Sequence, residues 1–490
     1  MSGRRCPFFI FVLPALFCLP AFASFDFNSN CRNAYLKIFN LQFSEAKSLI
    51  ESEKNLNPGN AIPVLLESDI DFLSAFISEE EFYYKRLLSN RERRLSMVQA
   101  NEKHSPFYNY VQADIYLQCA LVKAKFGEYI SAANDMLKAN SLLKKNQKLF
   151  PEFLLNLKGL GMIHAMSGTV PSDFKWLSAL AGVEGTIEQG MSELDSLFTT
   201  LNGSEYKFLK PEAALILFYL KTNFENHESS NYVFRNDSAL LVNPIVAFAI
   251  SGYLMKQGNA GEAINILEHA SQSGDFPFLM LQYRLGHARL CRGDKDAVEP
   301  LLKFIASFKG ENYLRSAYRF IAWYYLINDD EKKYLQYIGE VSNAGSTLTD
   351  EDKDATREAK EKRIPNKKLL RARLLFDGGF FESARTELKS AGMMRDKIDS
   401  VEFNYRFART MHAQKDTAQS ISLYTKTFDE GKSLRNHFAA NSALMLGMIY
   451  ERRNEKLKAR EWYFRCINLP KHDYQLSIGR KAKAGLTRVK

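Results

Sequence analysis

Apolar and polar residues alternate with a helical period along most of the chain, and the pattern is clearest between residues 439 and 470. Two amphipathic stretches are joined there by a short polar turn, and Pro470 ends the second one. The residues that stand out on their apolar faces are Leu446, Gly447, Tyr450, Ala459, Tyr463 and Cys466. The spacing predicts two antiparallel helices that cross closely where Gly447 faces Ala459, with larger side chains filling the space beside the crossing.

Comparable helix pairs recur along the rest of the chain. Ala297 follows Ala263 by 34 residues. The small residues Ala384, Ser420 and Ala459 follow one another after 36 and 39 residues. A single pair cannot bury its own apolar face, so several pairs must stack. The sequence therefore predicts an all-α fold, a helix-turn-helix solenoid divided into two blocks.

Two segments depart from the plain repeat. Residues 341–366 are polar and charged, and Thr349 with Asp352 resembles a capping box for a helix that would begin at Asp350. Residues 471–490 indicate a final basic amphipathic helix, which would cap the array. We therefore divide the chain into a signal peptide (1–23), an N-terminal divergent repeat array (24–340), a polar linker or insertion helix (341–366), a C-terminal repeat array (367–470) and a capping helix (471–490).

The first residues are typical of a secretory signal peptide. A basic pair at residues 4–5 precedes an apolar stretch at 8–19, and an A-x-A site at 21–23 predicts cleavage near Ala23/Ser24. An uncleaved membrane anchor is the alternative, although the apolar stretch is short for a span and contains prolines. We expect an exported protein, either periplasmic or associated with an outer membrane.

In its order of Leu-Gly, Tyr, Ala, an aromatic residue and Pro, the stretch at 439–470 resembles a tetratricopeptide repeat. The segment 161–190, with Val170, Pro171 and Trp176, is similar to a narrower eukaryotic group, the mitochondrial outer-membrane and inclusion-body-clearance relatives of that family. The signal peptide departs from this group, and the whole chain looks more like exported tetratricopeptide-repeat proteins of Gram-negative bacteria. The resemblance implies that the solenoid is wound as a right-handed superhelix and that the protein is a scaffold without catalytic residues.

No motif in the sequence points to catalysis. The eight histidines are scattered, no two have the i, i+4 spacing of a helical metal site, and neither HExxH nor GxSxG occurs. The four cysteines beyond the signal peptide lack CxxC spacing, and we expect them to be buried free thiols. We therefore expect no enzyme, no cofactor and no metal. The alternative is a hydrolase with a site near residues 159–197 assembled from distant residues.

The first helices of such pairs line a concave groove whose side chains select the partner. Aligning the pairs on their small residues places seven residues on that face: Arg373, Tyr405, Arg409, His412, Asn441, Met448 and Arg452. The three arginines are suited to holding carboxylates, and Tyr405 to stacking or donating a hydrogen bond. We expect a protein or peptide partner of acidic character and no small-molecule substrate.

The net charge of +10 would fall to about +8 with the loss of the two arginines of the signal peptide. This modest excess is compatible with peripheral association with an anionic envelope surface. Nucleic-acid binding through the basic tail at residues 471–490 is a further alternative, but export argues against it, and we expect no nucleic-acid partner.

Overall fold

The computed structural model describes residues 25–169, 185–224, 241–270 and 274–489. All regular secondary structure in these ranges is helical, and the α-helices are numbered α1 to α23 in chain order. The predicted signal peptide and the positions of Val170, Pro171 and Trp176 lie outside the described residues.

The first eleven helices are α1 (Ser29–Phe39), α2 (Phe43–Leu56), α3 (Ile62–Ser78), α4 (Glu81–Gln99), α5 (Pro106–Lys125), α6 (Tyr129–Leu149), α7 (Asn156–Thr169), α8 (Ile187–Thr200), α9 (Lys210–Phe224), α10 (Pro244–Lys256) and α11 (Ala260–His269). Two short 3-10 turns, Leu201–Gly203 and Lys207–Leu209, lie between α8 and α9.

The remaining twelve are α12 (Met280–Arg292), α13 (Val298–Ser307), α14 (Leu314–Ile327), α15 (Glu331–Glu340), α16 (Asp350–Glu361), α17 (Lys367–Asp377), α18 (Phe381–Lys389), α19 (Lys397–Ala413), α20 (Thr417–Gly431), α21 (Phe438–Arg452), α22 (Lys456–Ile467) and α23 (Gln475–Arg488).

Consecutive helices pack as antiparallel pairs, such as α1 with α2, α5 with α6, α12 with α13, α19 with α20 and α21 with α22. The first helices of the pairs also pack against one another, in the order α1, α3, α5, α7, α9 and then α10, α12, α14, α17, α19, α21. The second helices form the other layer, and most of them, such as α2, α4, α6, α13 and α20, lie between their own first helix and the next one. This arrangement is a two-layered all-α solenoid, which confirms the predicted fold class.

Glycines permit the closest helix crossings near the end of the chain. A Cβ added at Gly447 of α21 would lie 2.5 Å from ring carbons of Tyr463, and one added at Gly485 of α23 would lie 2.4 Å from the same ring. The Tyr463 ring therefore fills the space where α21, α22 and α23 meet. The sequence predicted that Gly447 would face Ala459, but the closest contact is with Tyr463, because the flat ring uses the room that the missing side chain leaves.

The polar segment 341–366 contains the predicted helix as α16. Thr349 Oγ1 accepts a hydrogen bond from the Asp352 backbone N–H at 3.1 Å, as a capping box requires. The Asp352 carboxylate also accepts from the backbone N–H groups of Tyr313 at 2.6 Å and Ser316 at 2.9 Å, at the start of α14. These N–H groups have no partner within their own helix, so Asp352 holds α16 against the array.

Turns that are far apart in sequence contact one another directly. The Asp275 carboxylate accepts from the backbone N–H groups of Phe43 at 2.7 Å and Ser44 at 2.6 Å. Glu79 accepts from the backbone N–H of Asn312 at 3.1 Å. These bonds join residues 231 to 233 positions apart, so the solenoid winds back on itself.

The four described cysteines are buried free thiols, as predicted: Cys31, Cys119, Cys291 and Cys466. Burial raises the pKa of Cys119 to about 12, which keeps it protonated and unreactive at neutral pH. Within the described ranges, no helix combines the length and the apolar character needed to cross a membrane.

We predict that Gly447→Ala lowers the free energy of unfolding by about 1–3 kcal/mol, because the new Cβ overlaps the Tyr463 ring. Gly479→Ala in α23 is the matched control, since a Cβ there meets no atom within 4 Å. Alanine is the better helix former by about 1 kcal/mol, so the control is expected to stabilise the protein. Denaturant unfolding of the full chain measures both variants, and stabilisation by both would show that the Gly447 crossing is not tight.

Candidate functional site

Four of the seven predicted groove residues lie in one cluster on α17, α19 and α21. They are Arg373, Tyr405, Arg409 and Asn441. Arg373 Nε and Arg409 Nη2 both approach the Asp377 carboxylate, at 3.7 Å and 3.4 Å. Asn441 Nδ2 donates a hydrogen bond to the buried Tyr405 hydroxyl at 3.3 Å. The cluster thus brings two guanidinium groups together around one carboxylate.

Both arginine side chains remain accessible, with 35% of Arg373 and 30% of Arg409 exposed. The Arg409 guanidinium lies 4.0 Å from the centre of the Phe376 ring, which supports it from one side. One carboxylate cannot neutralise two guanidinium groups. An excess of positive charge therefore faces solvent here, next to aromatic surface.

The other three predicted residues lie at the edge of this cluster. The His412 ring packs edge-on against Tyr424 at 6.0 Å, and burial together with the charge of Arg452 lowers the pKa of His412. Met448 is half-buried against the core of the last repeats, and Arg452 is exposed. Of these three, Arg452 presents a charge to solvent.

Sequence reasoning missed the part of this face that lies on α12, α14 and α16. It consists of His287, Arg319, Trp323, Arg357 and Glu358. Trp323 is buried, and its Nε1 donates to Glu358 at 2.6 Å. Arg319 precedes Trp323 by four residues, a spacing that places both on one helix face and could have been recognised. Glu358 belongs to the segment interpreted as a linker, where the sequence does not indicate a contact with α14.

Burial and the charges of Arg406, Arg373 and Arg409 hold the pKa of His437 well below its ordinary value of 6.5. Its ring packs edge-on against Tyr474 at 5.2 Å. His437 is therefore neutral at physiological pH, and the arginines supply the positive charge of this face.

Three solved structures resemble the chain at low identity. The tetratricopeptide-repeat domain of P58(IPK) is 14% identical, and the match covers 83% of this chain and 97% of that one with a TM-score of 0.22. The APC/C hetero-tetramer Cut9–Hcn1 is 10% identical over 93% of this chain and 95% of that one, with a TM-score of 0.25. Naa15/Naa10 bound to HypK-THB is 12% identical over 94% of this chain and 78% of that one, with a TM-score of 0.21. No protein-family model and no curated protein matches the chain.

These superpositions are too poor to decide the repeat type, which follows instead from the packing of the chain itself. The pairs are antiparallel, are joined by tight turns, and stack with first helix on first helix. At the final pair, a glycine of the first helix receives an aromatic ring of the second. These are tetratricopeptide-like repeats. Their stacking forms a continuous first-helix face, which carries the arginine cluster.

The N-terminal tetratricopeptide-like repeats contain a cluster in which carboxyl groups outnumber the cation. Lys158 Nζ on α7 lies 3.2 Å from Asp114 of α5 and 3.3 Å from Glu212 of α9. The Tyr35 hydroxyl donates to Glu212 at 2.7 Å. Burial and the nearby charge of Asp114 raise the pKa of Asp69 on α3 well above its ordinary value. Three carboxyl groups thus surround one lysine, where the C-terminal repeats have an excess of arginine.

Residues 159–197, the alternative hydrolase site, contain a buried histidine–carboxylate pair. His164 Nδ1 lies 2.7 Å from Glu193 Oε2. The Ser167 hydroxyl donates to the His164 backbone oxygen at 2.8 Å instead of to the ring. Within the described part of this region, no serine, threonine or cysteine hydrogen-bonds to the imidazole, and the pair joins α7 to α8. Nor do the described residues contain a group of three or more His, Cys, Asp or Glu side chains able to hold a metal.

We predict that Asp69→Asn raises stability at pH 7 and has little effect near pH 4. Because the pKa of Asp69 is raised in the folded protein, the folded state keeps a proton that the unfolded state releases above pH 4. Stability is lost as pH rises from the ordinary pKa of Asp to the folded one, at about 1.4 kcal/mol for each pH unit of that interval. The substituted amide still offers an acceptor oxygen to Gln118 Nε2, which lies 2.7 Å from Asp69 Oδ1.

Denaturant unfolding between pH 4 and pH 8 measures the effect, and the exposed Glu152→Gln is the control for loss of one negative charge. A stability difference between Asp69→Asn and the original chain that does not change with pH would contradict the raised pKa.

Proposed function

We propose that this protein is a non-catalytic scaffold that binds a protein or peptide segment along the first-helix face of its C-terminal repeats. The observation that carries the proposal is the pair Arg373 and Arg409, both partly exposed and sharing the single carboxylate of Asp377. Guanidinium groups of this kind bind carboxylates bidentately and also stack on aromatic rings.

The extent of the face favours a macromolecular partner. Its charged and aromatic residues are spread over α14, α17, α19 and α21, which pack side by side. Arginine and aromatic residues are enriched among those that contribute most to protein–protein binding. A small molecule would instead need a closed pocket with a few convergent polar groups.

We further propose that the scaffold acts outside the cytosol. The support is the sequence of residues 1–23, with its basic start, apolar stretch and A-x-A site. Association with an envelope surface would be peripheral, through the modest positive charge of the mature chain.

We predict that the mature protein purified from its native cells begins at Ser24. N-terminal sequencing or intact-mass measurement tests this directly. Ala23→Arg is expected to block cleavage, because the processing site requires a small residue at that position. A mature protein that retains residues 1–23 would instead support the membrane-anchor alternative.

We predict that Arg373→Met with Arg409→Met lowers partner capture at least tenfold, which corresponds to about 1.4 kcal/mol. Affinity-tagged full chain is crosslinked in intact native cells, and captured proteins are quantified by mass spectrometry. Arg385→Met with Arg460→Met removes the same charge from the second helices α18 and α22 and is the matched control. Equal capture by both double variants would exclude the arginine cluster as the binding face.

A further inference from the structure

Five lysine or arginine residues of the described chain are more than nine-tenths buried: Arg94, Lys123, Lys158, Arg319 and Arg406. Burying a cation is costly unless a carboxylate compensates for it. Four of the five have a carboxylate oxygen within hydrogen-bonding distance of a charged nitrogen: Asp71 at 2.6 Å for Arg94, Asp135 at 2.6 Å for Lys123, Asp114 at 3.2 Å for Lys158 and Glu402 at 2.6 Å for Arg406. The chain therefore normally supplies its own counter-charge.

Arg319 is the exception among these five. It is 6% exposed, and its nearest carboxylate oxygen, Oε2 of Glu358, lies 3.9 Å from Nη1, beyond hydrogen-bonding distance. Its Nε has no hydrogen-bond partner in the described part of the chain. The guanidinium carbon instead lies 4.7 Å from the Trp323 ring centre and 5.5 Å from that of Phe320. Aromatic faces partly offset the loss of water but provide no hydrogen-bond acceptor for the N–H groups.

A second arginine approaches the same ring. The Arg373 guanidinium lies 4.8 Å from the Trp323 ring centre, so two guanidinium groups share one indole. Arg284 on α12 lies instead against α10, over the Phe248 ring at 4.9 Å, and its Nε has no hydrogen-bond partner among the described residues. Positive charge thus converges on Trp323 from α14 and α17.

The pKa of His287 on α12 is sensitive to the charges of Arg284, Arg319 and Arg373. Its ring is stacked on Phe320, with the ring centres 4.2 Å apart. Burial and the charges of Arg284, Arg319 and Arg373 lower the pKa of His287 to about 3. His287 is therefore neutral at physiological pH and can offer an N–H group without adding charge.

We propose that Arg319 and Arg373, which share the Trp323 ring, form a binding site for one carboxylate side chain of an acidic partner segment. The site rests on the proposed function, and it names the partner chemistry: an Asp- or Glu-rich segment whose carboxylate supplies the hydrogen-bond acceptor that Arg319 lacks. A carboxylate is favoured because the other four deeply buried cations of the described chain are each paired with one. The partly exposed Arg373 leaves the site open to solvent on one side.

The test uses the full chain and two capped peptides, acetyl-hexaglutamate amide and acetyl-hexaglutamine amide, at 150 mM salt. Isothermal titration calorimetry is expected to show binding of the glutamate peptide alone. In a Trp176→Phe, Trp462→Phe background, Trp323 is the sole tryptophan, and its fluorescence is expected to change on binding. Binding without that change would place the peptide elsewhere and overturn the site.

Arg319→Met is expected to weaken glutamate-peptide binding at least tenfold without lowering the melting temperature, because it removes a buried guanidinium whose Nε has no acceptor and which lies beyond hydrogen-bonding distance of Glu358. Arg289→Met is the matched control on α12, since Arg289 is already paired with Glu268 at 2.7 Å and Asp296 at 2.8 Å. Its peptide affinity is expected to stay within twofold of that of the original chain.

Unchanged affinity in Arg319→Met would overturn the proposal, and a marked fall in its melting temperature would show that Arg319 serves packing instead. Arg319→Lys keeps the charge but loses the planar fork, so it is expected to melt normally and bind at intermediate strength; full affinity in this variant would also count against the site. Tenfold tighter binding of inorganic phosphate than of the glutamate peptide would overturn the carboxylate assignment.

The two proposals fail separately. If the Arg373/Arg409 variant loses cellular capture but peptide binding does not depend on Arg319, the proposed scaffold function stands and the carboxylate site is wrong. If peptide binding depends on Arg319 but the Arg373/Arg409 variant captures partners normally, the carboxylate site stands and the proposed binding face of the scaffold is wrong.

Discussion

A pair of helices joined by a tight turn has more apolar surface than it can cover by itself, and every repeat here depends on its neighbours for that reason. First helices pack on first helices from α1 to α21, so each core is shared between adjacent pairs. The apolar face of the last pair is covered by α23, whose Ile478 and Ala482 are buried against it. Close approach at Gly447 and Gly485 lets one tyrosine ring fill the space between three helices. Removing any pair would expose the faces of two others.

Carboxylates also bind the first turns of helices that are far away from them in sequence. Backbone N–H groups in the first turn of a helix have no partner within it, so they must find one elsewhere. Asp275 provides it for α2 and Asp352 for α14, from segments far away in sequence. A carboxylate is also favoured there by the helix dipole. The same bonds that complete individual helices therefore also hold successive turns of the solenoid together.

The sequence was sufficient for the repeats because their signal is local: a period of 3.6, a small residue at the crossing and a glycine or polar turn. Arg373 and Arg409 do lie together at Asp377, since equivalent positions of neighbouring pairs share a register, but Tyr405 is buried in the core, and the binding role of this face stays a prediction. The contact of Gly447 with Tyr463 was not predictable to the same degree, because rotation about the helix axis decides which neighbour fills the gap. Arg319 and Glu358 were missed because α16 interrupts the 34-residue spacing, and only the folded chain brings it onto α14.

Buried cations are compensated differently in the N-terminal and the C-terminal repeats, and the difference bears on function. Lys158 has two carboxylates, Asp114 and Glu212, close to its ammonium group, so its charge is compensated without a ligand. Around Arg319 the chain supplies aromatic rings, and a carboxylate only at 3.9 Å, so the buried Nε has no acceptor. A buried N–H group without an acceptor lowers stability, and a neutral side chain of similar length would remove that cost. A buried side chain that lowers stability marks a position where binding requirements compete with packing. Arg319 is such a side chain, whereas Lys158 is paired with carboxylates of the chain itself.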